Sequence, residues 1–262
     1  MIVSFTYCAA VIGVLMVSVW LVSLYRRDVS IIDIVWGLGF VLVAWTAYAM
    51  RSEPGDSLLV PVLTTIWGLR LSAYLGWRNH GQGEDPRYQK MRSKWGDAFP
   101  WVSLLTVFGV QAAVMWVVSL PLQSLYDGAD DSRVGMSVFG VILFSVGLFF
   151  EAVGDWQLAR FKANPTNAGQ VMDQGLWRYT RHPNYFGDFL VWWGLFFTAY
   201  ATSHVGWAII GPIVMSIFLM RVSGVTLLEK SLEESKPGYR EYVERTNAFF
   251  PGWRSVKNQS VQ

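Results

Sequence analysis

Seven apolar runs, each close to the ~18 residues that a helix needs to cross a bilayer, leave this 262-residue chain few folds to choose from. They cover roughly residues 2–25, 31–50, 57–77, 101–123, 134–158, 185–202 and 205–223. Backbone placed in hydrocarbon must satisfy its own hydrogen bonds, so runs of this length become helices. The expectation is an all-α integral membrane protein with about seven transmembrane helices. Only "TSHVG" separates the sixth run from the seventh, which predicts a tight helical hairpin. At 53% hydrophobic and 15% charged, the chain is too apolar for an ordinary soluble domain. The first run lacks a basic n-region and ends in Arg26 and Arg27, so it reads as a retained span rather than a signal peptide. The lone Cys8 excludes a disulfide framework and a cysteine metal site. Three scattered histidines, at 80, 182 and 204, give no histidine metal site, so no metal is expected. The net charge of +2 says little, and no nucleic-acid partner is expected.

The distribution of charge says more. Arg26 and Arg27 follow the first run, and Arg78, Arg87, Lys90, Arg92 and Lys94 follow the third. Arg160, Lys162, Arg178 and Arg181 lie between the fifth and sixth, and a further basic group follows the seventh. The opposite loops hold Arg51, Arg133 and an acidic "DGADDS". The positive-inside bias therefore predicts an external N-terminus and a cytosolic C-terminus. The loop at 78–100, the loop at 159–184 and the C-terminal tail then share the cytosolic face.

The densest of these clusters is "DWQLARFKANPTNAGQVMDQGLWRYTRHPNYFGD", residues 155–188. Asp155 and Lys162 are seven residues apart and share a helix face. "NPTN" and "DQG" are turn signals, and Pro183 suits the first turn of the next helix. The free N–H groups of that helix start attract anions. With Lys162, Arg178 and Arg181 beside it, the segment suits a phosphorylated or otherwise anionic ligand, and Trp177, Tyr179 and Tyr185 offer flat faces to a ring system. The plain alternative is that these residues only anchor helices to anionic headgroups and form an aromatic belt. Asn184 and Asp188 resist it: they lie one turn apart inside a span, where an unpaired polar group is expensive. In the tail, Arg221 and Glu229 could share one face, as could Tyr239 and Tyr242, or the tail could lie as an amphipathic helix on the membrane. In the front half, Asp33 and Arg70 are ionisable groups inside spans, which marks them either as functional or as partners of each other. The loop "GQGEDPRYQKMRSKWGD", turn-rich and then basic, could close over a ligand.

"RHPNYFGD", with "DWQLARFKANP" before it and "LLEKSLEESKPGYREYVERTNAFFP" after, resembles the steroid 5-alpha-reductase family, and most of all its bacterial relatives. It is also similar to the membrane sterol C14-reductases. The resemblance is strongest over residues 151–253, while "SIIDIVWGLGF" and "WGLRLS" carry it in the front half. It implies a multi-pass protein of the bacterial inner membrane, one membrane domain over residues 1–262. Spans within 1–123 would shape a pocket for a lipid-like enone, and 134–253 would hold NADPH. Carried over by position, Asp155 and Lys162 match the polar pair ending the fifth span, and Arg178, Tyr179, Asn184 and Asp188 match the loop and the early sixth span. Arg221 matches an arginine ending the seventh. Arg160, Trp177, Arg181, His182, Tyr185, Glu229, Tyr239 and Tyr242 complete the cofactor set expected here. The family's glutamine–glutamate pair falls near Asp33, and its span-three tyrosine falls near Trp67, with Tyr74 as the nearby phenol.

These positions imply reduction of the C=C bond of an enone, such as a 3-oxo-Δ4 steroid or another hydrophobic lipid. The carbonyl oxygen gathers charge as hydride adds, and a donor in a dry site stabilises it. Asp33, in its protonated form and helped by Trp67 or Tyr74, is the expected donor. A second enzyme class fits the same run. Membrane methyltransferases of the isoprenylcysteine and phospholipid type also carry R-H-P-x-Y and a C-terminal glutamate, and use S-adenosylmethionine. The "GD" after "RHPNYF", the "DWQLARFK" segment and the number of basic groups favour the reductase. A non-catalytic lipid- or sterol-binding protein would need no such polar cluster.

Overall fold

A computed structural model describes residues 2–51, 58–125, 133–222, 229 and 236–254. Among the described residues there are helices and turns and no strand. The first three spans are α1 (Ile2–Arg26), α2 (Ile31–Ala49) and α3 (Leu59–Asn79). Then come α4 (Pro86–Trp95), α5 (Phe99–Ser103), a π-helical stretch Leu104–Gly109, α6 (Val110–Val118) and the short turn α7 (Leu120–Gln123). The chain continues in α8 (Val134–Ala163), α9 (Pro183–Ser203), α10 (Ile210–Ile217) and α11 (Tyr239–Arg245). Among the described residues, five helical segments are long and apolar enough to cross a membrane: 3–26, 31–49, 59–79, 86–118 and 134–163. The chain is a membrane protein. α9 is 21 residues long, and the apolar helix Gly206–Arg221 is shorter than these five.

One difference from the sequence reading is in the loop at 78–100. Residues 86–95 are helix and run on through a single turn into the fourth apolar run. The cause is local. Asp85 caps the helix by accepting the Arg87 N–H at 2.8 Å, and Pro86 occupies the first helical position. The predicted hairpin after α9 is present as a turn at His204, whose φ is +54°, followed by the short turn Gly206–Ile209.

The described chain forms two compact units. One contains 1–138 and 195–211, the other 139–194 and 212–262. Segment 195–211 thus joins the N-terminal spans, an assignment that linear order alone does not give. Phe5 meets Trp207 at 5.6 Å between ring centroids, and the Arg133 N–H donates to the Ala201 carbonyl.

In the first unit α2 and α3 cross at Gly37 and Gly68. A Cβ on Gly37 would stand 2.4 Å from the Gly68 carbonyl oxygen, so the two backbones touch. Beside this crossing Trp67 and Phe40 are fully buried with rings 5.8 Å apart. In the second unit α8 and α9 cross in the same manner. A Cβ on Gly187 would lie 2.5 Å from the Gly147 carbonyl oxygen and 2.6 Å from the Glu151 nitrogen. No side chain fits there, and the close approach brings the polar ends of the two helices together. We expect Gly187→Ala to force the helices apart and cost roughly 1–3 kcal/mol, as overpacking does. The check is thermal unfolding in detergent; an unchanged melting temperature would show that the crossing can relax.

Candidate functional site

The second unit gathers most of the residues singled out in the sequence. Asp155 is buried at the end of α8 and accepts a hydrogen bond from the Asn184 Nδ2 at 3.2 Å. Asn184, the second residue of α9, also accepts the Tyr185 N–H at 3.1 Å. Asp188 follows one turn later, half-buried. The connecting loop is fastened to α8: the Trp177 indole donates to the Gly154 carbonyl at 3.0 Å, and the Leu176 N–H donates to Gln157.

The "RH" of the motif turns inward. Arg181 is only 8% exposed. Its Nε and Nη2 donate to the two oxygens of Glu229 at 2.7 and 3.0 Å. Its Nη1 donates to the carbonyls of Val243 and Thr246. His182 is buried, pairs with Glu229 at 3.0 Å and stacks on Tyr185 with planes 6° apart. Burial alone would raise the Glu229 carboxyl, but His182 and Arg181 overcome it and hold it down to about 2. The tail is also bonded to the loop through its backbone. Arg181 N–H donates to Asn247, Gly252 N–H to Tyr179, and the Thr180 hydroxyl to Phe249. The Tyr242 hydroxyl donates to the Trp177 carbonyl, and burial pushes that phenol upward. Asp173 holds both Arg245 and Arg254, at 2.8 and 3.0 Å. Tyr239 is buried against Tyr242 with ring centroids 5.8 Å apart.

This divides the basic residues into two groups. Arg181 is internally neutralised, whereas Arg160, Lys162 and Arg178 are exposed on the same unit. Tyr179 is 36% exposed and meets Trp253 edge-on at 5.7 Å. Arg221 is exposed, and the helix face that would carry both it and Glu229 runs through residues outside the described ones.

The first unit holds a separate cluster. Asp33, in the first turn of α2, accepts from Arg87 at 2.8 Å and from the Tyr88 hydroxyl at 3.0 Å. Arg87 also lies over the Tyr88 ring, 5.3 Å from its centroid, and donates to Asp85 at 2.9 Å. The partners of Asp33 are thus Arg87 and Tyr88 rather than Arg70, Trp67 or Tyr74. Trp67 sits in the aromatic core, and Tyr74 has the Arg70 and Arg78 guanidinium groups over its ring. Sequence reasoning missed Arg87 and Tyr88. The signal was present in "EDPRY", because Asp-Pro starts a helix and puts both residues in its first turn. Next to this cluster, Glu84 accepts from the Val29 N–H at 2.9 Å and from Arg92 at 2.7 and 2.9 Å. Burial works against its charge, yet these donors hold Glu84 below the usual carboxylate range.

The donor set of the second unit fits a dinucleotide phosphate. Exposed guanidinium and ammonium groups suit phosphate oxygens. The Asn184–Asp155 pair suits the amide and hydroxyl groups of such a molecule, and the half-exposed Tyr179 gives a face for a ring. Among the described residues, no three His, Cys, Asp or Glu side chains converge as metal ligands.

A family model described as protein of unknown function (DUF1295) matches residues 19–246. No curated protein and no solved structure matches the chain.

Proposed function

The chain belongs to the DUF1295 family, and on that premise we propose an NADPH-dependent reductase of the C=C bond of an enone in a hydrophobic, steroid-like or other lipid substrate. In this reading it is a seven-span protein of the bacterial inner membrane, with an external N-terminus and a cytosolic C-terminus. The observation that carries it is the Asn184–Asp155 hydrogen bond. It joins "DWQLARFK" to "RHPNYFGD", the two segments on which the resemblance to the steroid 5-alpha-reductase family rests, into one polar cluster.

NADPH, when bound, supplies the hydride. Arg160, Lys162 and Arg178 hold its phosphates by charge-assisted bonds, and Asn184 and Asp155 orient it. Arg181, His182, Glu229 and Tyr242 act at one remove, fixing the loop that carries Arg178 and Tyr179. On the substrate side, the donor role expected of Asp33 passes to its partner Arg87. A carboxylate that accepts from a guanidinium and a phenol is the charged acceptor, not a donor. The single Tyr88 O–H is spent on Asp33, while Asp33 and Asp85 orient the Arg87 guanidinium, whose remaining N–H groups support an oxygen as negative charge develops on it.

The test is a titration of purified protein with NADPH, NADH and S-adenosylmethionine, read by thermal stability. A ligand at 100 times its Kd adds about 2.7 kcal/mol to the folded state. NADPH is expected to raise the melting temperature, NADH to bind at least about tenfold more weakly for want of the extra charge-assisted bonds, and S-adenosylmethionine to leave it unchanged. Asn184→Ala should weaken NADPH binding by roughly five- to a hundredfold, the ~1–3 kcal/mol cost of a lost buried partner. Normal binding in a well-folded Asn184→Ala protein would remove Asn184 and Asp155 from the cofactor site.

A methyltransferase is the second reading, and one observation favours it. The Arg181–His182–Glu229 arrangement uses the R-H-P-x-Y run and the C-terminal glutamate that membrane methyltransferases also carry. Tight binding of S-adenosylmethionine with no response to NADPH would put it in first place.

A further inference from the structure

A cavity of about 400 Å³ lies in the first unit, where α1 leads into α2 and α3 runs out. We propose that it binds the oxyanion head of an amphiphile, a carboxylate or phosphate carried on an apolar body. The inference stands apart from the reductase reading and uses none of its residues.

The volume falls within the ~300–1,000 Å³ of small-molecule sites. The walls are chemically two-sided. Ile31 and Ile34 line it with apolar surface, and Arg26, Asn79 and His80 line it with groups that donate hydrogen bonds. Asn79 already accepts from the Arg78 Nε through its Oδ1, which leaves its NH₂ as the free end. Asp28 is the one carboxylate of the lining, and its Oδ1 accepts the Ser30 N–H at 2.9 Å. Arg26 is exposed at the end of α1 and supplies a full charge. Donors thus outnumber acceptors in the lining, and that balance favours an anion over a cation or a neutral head.

The cavity is built rather than incidental. Its two walls are tied together by the segment that follows the α3 loop. Glu84 accepts the Val29 N–H, and the Asp85 N–H donates to the Ser30 Oγ at 2.6 Å. The loop turns at Gly81 and Gly83, with φ of +74° and +73°, and a Cβ at either would meet nothing within 4 Å. Glycine supplies the left-handed φ of both turn positions at no steric cost.

The experiment uses the full-length protein in a neutral detergent, with binding read by native mass spectrometry. The probes are dodecanoate, dodecyl phosphate, dodecanol and inorganic phosphate. The two anionic amphiphiles should bind at least tenfold more tightly than dodecanol or inorganic phosphate. Arg26→Gln should reduce that binding about tenfold, the worth of a charge-assisted bond. Arg27→Gln, at the neighbouring residue outside the lining, should leave it unchanged. Ile34→Trp fills the cavity and should abolish binding, with folding verified by an unaltered melting temperature and elution volume. Equal binding of dodecanol, or equal effects of Arg26→Gln and Arg27→Gln, would overturn the proposal as surface adsorption. Inorganic phosphate binding as tightly as dodecyl phosphate would overturn the amphiphile. The NADPH response bears only on the reductase reading, so the two can fail separately.

Discussion

Replacing Arg181 with alanine will loosen the C-terminal tail from the motif loop and destabilise the protein by about 3–5 kcal/mol, the cost of removing one partner of a buried ion pair. The side chain ties three pieces of chain together: Glu229, the α11 end at Val243 and the turn at Thr246. Its loss leaves the Glu229 carboxylate with His182 alone among the described residues and removes a donor from two carbonyls. Arg181→Lys will recover little, because an ammonium cannot span two carboxylate oxygens and two carbonyls at once. Exposed Arg178→Ala should stay within about 0.5 kcal/mol of the parent, as surface substitutions do, and lose affinity for NADPH instead. Thermal unfolding and proteolysis of the tail will separate the two variants. The same contact predicts an acid limb. Glu229 is held at about 2, below the ~4.3 of a free glutamate. Its stabilisation is complete above the unfolded value and is lost as pH falls through the folded one. Melting temperature should therefore drop between about pH 4.5 and 2, and Glu229→Gln should flatten that limb. A steep limb in the glutamine variant would assign the acid sensitivity to other carboxylates.

Asp33→Leu should lower turnover of a progesterone-like enone by about 10²–10³-fold, the typical cost of losing one preorganised donor to a developing oxyanion. Leucine gives neither the Tyr88 hydroxyl nor Arg87 an acceptor, so both lose the orientation that Asp33 imposes. Arg87→Leu should fall as far, since it deletes the donor itself. Asp33→Asn keeps one oxygen acceptor and should retain a measurable fraction. NADPH affinity should be unaltered in all three, which distinguishes a chemical defect from a folding one. Full activity in both Asp33→Leu and Arg87→Leu would take the pair out of the mechanism.

The helices were legible because long apolar runs need no periodicity to be recognised. α4 was not, since its ten residues are mostly polar and only Asp85 and Pro86 announce it. The two segments that meet at the Asn184–Asp155 contact stood out as motifs, but the contact did not, because spacing pairs Asp155 only with Lys162 on its own helix and Asn184 only with Asp188. The role of Arg181 could not be read, because a sequence displays a charge but not the carboxylate and carbonyls that neutralise it. Two of its partners, Val243 and Thr246, contribute only backbone oxygens, which leave no mark in residue identity. The placement of 195–211 with the N-terminal spans rests on contacts such as Phe5–Trp207, long-range pairings that local patterns do not encode.

Four of the five side-chain N–H groups of Arg181 are engaged inside the protein, while Arg160, Lys162 and Arg178 are exposed at its surface. In the reductase reading proposed above, framework and recognition then fall to different cations of the same segment. An ancestral chain could exchange its outer cations one at a time and keep its tail docked at every step. Ligand preference in such a lineage can drift by single surface replacements, with no intermediate that unfolds. The arginine of the R-H-P-N-Y run would stay fixed across relatives that differ in what they bind, and its retention would report architecture, not chemistry.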